Sequence, residues 1–222
     1  MDAFDINRIE KQEIYRYLGY GKTEPDAEVQ RAVDECLGQL LPSLLPREVH
    51  RVFPVEWKGT DAFSIAGMEV RSRSLAKNLR GCGEAYLLAA TIGIWPDRLS
   101  ARYSAERKMS CAVIVQAAGT ALIEAWCDEV CRQAAKKARM EGLHTRPRFS
   151  PGYGDFDLAH QADLFRILEV PKRIGVTLTE SLLMMPSKSV TAVVGLSETD
   201  TGCTLHGCET CGRAGNCSYS RI

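Results

Sequence analysis

Apolar residues near the start of the chain recur at helical spacing. Residues 6–17 are typical of a helix with Asp5 as its N-cap, and a second helix starts near Thr23. One face of this second helix is apolar and carries Val29, Ala32, Val33, Cys36, Leu37 and Leu40. The two helices predict an N-terminal helical segment over residues 1–46.

Downstream of residue 46 the pattern predicts both strands and helices. Val49 to Trp57 alternates, whereas Ala85 to Gly93 is continuously apolar, which favours a buried central strand. Further strands are predicted at 62–70, with Gly67 at a turn or bulge, and at 174–178 and 189–196. Helices are predicted at 74–80, 96–109, 110–140 and 159–168. This order predicts one α+β domain over residues 47–196, with a mostly antiparallel twisted sheet flanked by helices. Residues 197–222 lack periodicity and form a Cys-rich C-terminal tail.

The amino-acid composition limits which classes of partner we expect the protein to bind. Hydrophobic residues make up 45% of the 222 residues, and 28 Lys and Arg balance 28 Asp and Glu. A formal net charge of zero argues against a nucleic-acid binder, which needs a basic surface to neutralise phosphates. The polar, acidic N-terminus does not resemble a signal peptide, and no apolar run approaches the roughly 20 residues that span a bilayer. We therefore expect a cytoplasmic protein with no membrane partner.

The most distinctive chemistry lies in a loop, Arg148 to Gly154, with the sequence RFSPGYG. Arg148 offers a planar fork of donors that suits a carboxylate, and Pro151 with Gly152 favours a tight turn open to close approach by a ligand. Tyr153 can stack on a flat ring. The loop favours a zwitterionic amino-acid ligand that carries an aromatic base. The alternative is a surface turn with a solvated arginine.

Several motifs around this loop occur in an order that resembles a known family. They are Leu122 to Trp126 (LIEAW), Leu168 to Val170 (LEV), Ile174 to Ser181 (IGVTLTES), Met184 to Pro186 (MMP) and Ser189-Val190. With the Arg-x-x-x-Gly-Tyr spacing of the loop, they resemble the S-adenosylmethionine-binding activation (reactivation) domain of cobalamin-dependent methionine synthase. The resemblance covers residues 85–196 and implies that family's α+β fold.

The resemblance also implies a function and a set of site residues. In that family the domain binds S-adenosylmethionine beside the corrinoid. A reducing partner supplies an electron to oxidised cob(II)alamin, and S-adenosylmethionine then methylates the reduced cobalt. By motif, Arg148 holds the methionine carboxylate and Glu124 faces the ligand's positive charge. Tyr153 packs near the sulfonium or the corrinoid, and Ser150, Pro151 and Gly152 line the pocket.

Two further carboxylates are candidates for the ligand site, and the chain departs from the family pattern at one place. Glu180 either faces the ligand or corrinoid, or closes a strand in a local turn. Glu141, just ahead of the loop, is a less certain match to the family. The family carries an aromatic pair after the Ser-Val segment, but Ser197 to Cys203 contains no aromatic residue. Part of the pocket is therefore expected to be built differently.

The chain has no cobalamin-binding Asp-x-His-x-x-Gly motif, so it is not a whole methionine synthase. We expect a stand-alone module of a methyltransferase system in methionine biosynthesis. It would contact cobalamin in trans on a corrinoid-binding protein or a short methionine synthase, with flavodoxin or ferredoxin as a reducing partner. One alternative is a metal- or iron–sulfur-binding electron-transfer protein with a vestigial S-adenosylmethionine pocket. Another is a scaffold that clamps the corrinoid protein without chemistry.

The tail carries a cluster of cysteines, namely Cys203, Cys208, Cys211 and Cys217. In a reducing compartment such a cluster favours a metal site over a disulfide framework. The short gap between Cys208 and Cys211 lets two thiolates reach one metal, so four could hold zinc or an iron–sulfur cluster. The alternative is a disordered tail with free thiols. A cluster would suit reactivation, because iron–sulfur centres supply low-potential electrons.

We predict that protein purified without oxygen contains iron or zinc bound by the tail thiolates. Metal analysis together with thiol titration tests this expectation. A metal-free protein with four titratable tail thiols would contradict it.

Overall fold

An antiparallel six-stranded sheet lies at the centre of the computed structural model, which describes residues 11–21 and 23–200. The strands are β1 (Arg47–Trp57), β2 (Ala62–Ile65), β3 (Met68–Arg71), β4 (Glu84–Thr91), β5 (His144–Thr145), β6 (Thr177–Leu178), β7 (Met184–Met185) and β8 (Ser189–Ser197). The sheet order is β3-β2-β1-β4-β8-β5, while β6 and β7 form a separate hairpin. This architecture confirms the predicted α+β class with an antiparallel sheet flanked by helices.

Helices cover both faces of the sheet. They are α1 (Lys11–Tyr17), α2 (Ala27–Leu40), α3 (Arg73–Asn78), α4 (Trp95–Ala105), α5 (Met109–Met140), α6 (His160–Leu168) and α7 (Val170–Ile174). Alternate residues of β4 point into two separate cores, so that Tyr86 and Leu88 pack with α5 whereas Leu87 packs with α6. Burial on both faces explains why the β4 sequence is continuously apolar.

Local geometry refines three sequence-based boundaries. Residues 62–70 form two short paired strands, and the turn or bulge predicted at Gly67 is a turn made by Ala66 and Gly67, whose φ angles are 52° and 77°. The predicted strand at 174–178 is wrong over its first half, since α7 extends to Ile174. The helix expected to reach residue 109 ends at Ala105, and Arg107 has a φ of 60° before α5 begins.

Helix α5 corrects the expectation that no apolar segment reaches membrane-spanning length. Within the described residues it is the one helix long and apolar enough to cross a bilayer, with 32 residues. However, 61% of its most apolar window is buried inside the protein. Its Leu122 and Cys127 are fully buried, and its contacts with α1, α2, α4 and β4 are those of a core helix.

The loop that follows β5 is held against the edge of the sheet. The backbone N–H of Arg146 donates to the Gly195 carbonyl at 2.8 Å, and Phe149 exchanges two hydrogen bonds with Val193 at 2.8 and 2.9 Å. These bonds extend the pairing of β5 with β8 by several residues. The position of Arg148, between two paired residues, is therefore fixed by the sheet.

The far end of this loop is fastened to the start of α3. The Asp155 carboxylate accepts hydrogen bonds from the Ser72 hydroxyl at 2.6 Å and from the backbone N–H groups of Arg73 and Ser74 at 2.8 and 2.9 Å. Gly154, with a φ of 55°, lies so close that a Cβ atom there would be 2.6 Å from the Ser74 Oγ. Gly154 thus allows the loop to approach α3 closely, and Asp155 holds it there through hydrogen bonds.

We predict that Asp155→Asn lowers the thermal midpoint at pH 7. The three hydrogen bonds, led by the one from Ser72, hold the pKa of Asp155 well below its usual range. A depressed carboxyl pKa stabilises the folded state above the unfolded value of about 4, and this contribution is lost as the pH falls. The gap in thermal midpoint between the wild type and the variant should therefore shrink below about pH 4.

The matched control is Asp61→Asn, because Asp61 makes a single, long ion pair with Arg73 at 4.0 Å. It should change the thermal midpoint little at any pH. A gap for Asp155→Asn that stays constant down to low pH would contradict the proposed role of its charge.

Candidate functional site

A cavity of about 1100 Å³ opens between the docked loop, helix α5 and the end of β8. Its walls come from α3, α5, α6, the β6–β7 hairpin and the loop. The lining residues are Ser74, Asn78, Glu124, Cys131, Thr145, Arg146, Pro147, Arg148, Phe149, Ser150, Pro151, Gly152, Tyr153, Gly154, Gln161, Met184, Ser189, Val190 and Thr191. The structure thus brings together six of the eight residues that the sequence predicted to bind the cofactor.

Arg148 forms an ion-pair cluster with two carboxylates of α5. Its Nη2 donates to the Asp128 Oδ1 at 2.6 Å and to the Glu124 Oε2 at 3.1 Å. The three side chains are 19%, 28% and 32% exposed for Arg148, Asp128 and Glu124, respectively. We call these three residues the Arg148 cluster. Its formal charge is −1, which suits a cationic ligand.

The neighbours of Arg148 favour its charged form. Burial opposes the positive charge, but the nearby Glu124 and Asp128 carboxylates raise the pKa of Arg148 above its usual value. Burial likewise raises the pKa of the Cys127 thiol, which lies in the core directly behind the cluster. The guanidinium is therefore a permanent charge, and Cys127 stays a neutral thiol in ordinary buffers.

The loop residues on the other side of the cluster form a tight turn. The Tyr153 N–H donates to the Ser150 carbonyl at 3.1 Å, and Gly152, with a φ of 90°, donates to the Phe156 carbonyl at 2.7 Å. Tyr153 is 59% exposed at the cavity mouth and meets Phe149 edge to face at 6.1 Å between ring centroids. Partial burial and the charge of Glu124 raise the pKa of Tyr153. Its ring is available for stacking.

Beyond the Arg148 cluster and the loop turn the cavity lining is polar, and Arg146 is the one further charged side chain that the described part of the chain adds to it. Gln161 is 5% exposed and bridges two walls, since its amide nitrogen donates to the Leu182 carbonyl at 2.6 Å. Ser189 and Thr191 of β8 lie beside it. Among the described residues, Asn78 Oδ1 and Arg146 Nε are buried without a hydrogen-bond partner. These side chains offer hydrogen-bonding groups to a polar ligand portion.

Two predicted carboxylates lie outside the cavity lining. Glu141 is exposed and caps the end of α5, where its N–H bonds to the carbonyls of Ala138 and Arg139. Glu180 is exposed in the turn between β6 and β7, where the Thr179 side chain accepts from Leu183 N–H at 3.0 Å. The local-turn alternative for Glu180 agrees with this position.

Asp128 is one of the site residues that sequence reasoning missed. It lies one helical turn after Glu124, so both carboxylates share a face of α5. That spacing, together with the predicted helix, was the available signal. Ser74, Asn78 and Gln161 were also missed, because they enter the cavity from helices that only the tertiary fold brings together.

The predicted metal ligands Cys203, Cys208, Cys211 and Cys217 lie outside the described residues. Within residues 11–21 and 23–200, no group of three or more His, Cys, Asp or Glu side chains could hold a metal ion. Five cysteines in this part of the chain are free thiols, namely Cys36, Cys82, Cys111, Cys127 and Cys131. The tail metal site stays a prediction.

Comparison with known proteins places the chain in a family. Residues 83–208 match the family described as the activation domain of vitamin B12-dependent methionine synthase. The fold is similar to the crystal structure of the MetH reactivation domain bound to AdoHcy, with a TM-score of 0.66 and 18% sequence identity. That similarity covers 89% of this chain and 77% of the other. No curated protein matches the chain. Because the family match covers more than half of its length, the chain belongs to the family of vitamin B12-dependent methionine synthase activation domains.

Proposed function

We propose that the protein binds S-adenosylmethionine and supports reductive methylation of a corrinoid carried by a separate protein. The observation that carries this proposal is the Arg148 cluster in a cavity of about 1100 Å³. The cluster combines a fixed cation with two carboxylates, as a zwitterionic amino-acid end and a neighbouring sulfonium require. Few other common ligands place these charges beside an aromatic base.

The shape and polarity of the cavity support the same ligand. Its volume is at the upper end of small-molecule sites, which run to about 1,000 Å³. The Arg148 cluster would take the charged amino-acid end, and Tyr153 at the mouth would stack on a flat ring or face the sulfonium. The polar side chains of Gln161 and Ser189 would offer hydrogen bonds to a sugar or base.

The ligands supply the reactive groups, and the protein supplies position and charge. S-adenosylmethionine would provide an electrophilic methyl group, and the reduced corrinoid metal would provide the electron pair that receives it. The bond between the methyl carbon and the sulfur would break, with S-adenosylhomocysteine as the leaving group. The negative Arg148 cluster would hold the sulfonium ligand, and the docked loop would keep it at the cavity mouth. Family membership implies a corrinoid-binding partner, which we propose to be a short methionine synthase or a related methyltransferase.

The electron has to come from a further donor, because methylation consumes reduced corrinoid. We propose flavodoxin, ferredoxin or a cluster on the tail cysteines as its source. The absence of an aromatic residue between Ser197 and Cys203 favours a second candidate, electron transfer by a metal-bearing tail with a vestigial pocket. S-adenosylmethionine binding separates the two functions.

We predict that Arg148→Ala weakens S-adenosylmethionine binding about 30-fold, or on the order of 2 kcal/mol. The reason is the loss of charge-assisted hydrogen bonds to the ligand carboxylate. Isothermal titration calorimetry measures the change. Arg132→Ala is the matched control, because Arg132 is an exposed arginine paired with Glu129 on the same helix at 2.6 Å.

The control should bind like the wild type. A wild-type protein that does not bind S-adenosylmethionine would refute the proposed function and leave the electron-transfer candidate. Binding that Arg148→Ala does not alter would place the ligand elsewhere.

We also predict that the protein promotes methyl transfer from radiolabelled S-adenosylmethionine to a corrinoid protein supplied in its oxidised form with a chemical reductant. The label should appear on the corrinoid only when the protein and the reductant are both present. Arg148→Ala should slow labelling at limiting S-adenosylmethionine, whereas Arg132→Ala should not. Labelling at the same rate without the protein would contradict its role.

A further inference from the structure

The free protein already neutralises Arg148, and this has a geometric consequence. The guanidinium presents two edges that can grip a carboxylate with a pair of parallel N–H groups, and both edges include Nη2. Nη2 carries two hydrogens and makes two hydrogen bonds, one to Glu124 and one to Asp128. A ligand carboxylate cannot bind in the bidentate mode unless one of these protein carboxylates leaves.

The two carboxylates are not equivalent partners. Asp128 is closer to Nη2, at 2.6 Å, whereas Glu124 lies at 3.1 Å and is slightly more exposed, at 32% against 28%. Glu124 is also the carboxylate that lines the cavity. The longer contact therefore involves Glu124, which a ligand can reach. The shorter contact involves Asp128, which holds the arginine without lining the cavity.

We propose that an amino-acid zwitterion binds by ion-pair exchange, in which Glu124 leaves Arg148 for the ligand ammonium and the ligand carboxylate takes its place. Asp128 is the positioning residue that keeps the guanidinium in place during the exchange. This inference rests on the proposed function and names how that site selects its ligand. One internal ion pair is replaced by two pairs to the ligand, so the charge on every group stays compensated.

Exchange makes the two charged groups of the ligand cooperative. In the proposed exchange, a ligand with only an ammonium or only a carboxylate opens the Arg148–Glu124 pair and gains one pair in return. A zwitterion breaks the same pair once and gains two. The combined contribution of both groups should therefore exceed the product of their separate contributions, because the cost of opening the pair is shared.

Four adenosyl sulfonium ligands test this inference by calorimetric titration. They are S-adenosylmethionine, its decarboxylated form, its deaminated form, and 5′-deoxy-5′-(methylpropylsulfonio)adenosine, which keeps the carbon chain but lacks both charged groups. For the wild type we expect the joint effect of the two groups on Kd to exceed the product of the single effects by about tenfold or more. In Glu124→Gln, which has no ion pair to open, this factor should fall to about one.

The control is Glu129→Gln, which removes a carboxylate from the same helix but outside the cavity lining. It should keep the wild-type cooperativity. Asp128→Asn should weaken S-adenosylmethionine binding about tenfold or more while leaving the ligand without charged amino-acid groups within about twofold. A loss confined to the amino-acid end distinguishes positioning of Arg148 from collapse of the cavity.

Additive contributions in the wild type would overturn the exchange, even if S-adenosylmethionine binds tightly. Unchanged S-adenosylmethionine affinity in Asp128→Asn would overturn the anchoring role of that residue. If none of the four ligands binds the wild type, the proposed function itself fails. The two failures are therefore distinguishable in one set of titrations.

Discussion

The antiparallel pairing of β4 with β8 is the interaction on which the rest of the structure depends. Its register runs from Glu84 opposite Leu196 to Thr91 opposite Ser189. Both strands are buried on their two faces, so a slip of one residue would exchange the side chains of the two cores. The same register sets which residues of β8 face the cavity. It also sets which backbone groups of β8 form hydrogen bonds with the loop after β5.

The site is assembled from segments that are far apart in sequence. The sheet edge positions Arg148, and helix α5 brings Glu124 and Asp128 to meet it across the cavity. Because α5 is packed against both the sheet and the N-terminal helices, its carboxylates have little freedom to follow a displaced arginine. The precision of the ion pairs thus comes from the core, and the adaptable part of the site is confined to side-chain rotations.

The sequence predicts much of this arrangement where local pattern and chemistry coincide. The apolar run of β4 predicts a strand that is buried on both faces. In the loop from Arg148 to Gly154, the arginine, proline and glycines predict a tight turn that can bind a charged ligand. Prediction fails where tertiary contacts decide. Residues 174–178 have strand-like composition, yet α7 occupies their start, and Gln161 reaches the cavity only because α6 packs against β4. Asp128 could have been found from its helical spacing to Glu124, but only after α5 was placed against the loop.

The close approach of Gly154 to Ser74 couples evolutionary change in the loop after β5 to change in α3. Ser74 and Asn78 of this helix also form part of the cavity wall. A larger residue at 154 would have to push α3 away and so reshape the wall, because its Cβ would lie 2.6 Å from the Ser74 Oγ. In homologues that keep this docking, positions 74 and 154 are therefore expected to vary together. Substitutions at these two positions should limit how much the shape of the cavity changes during evolution.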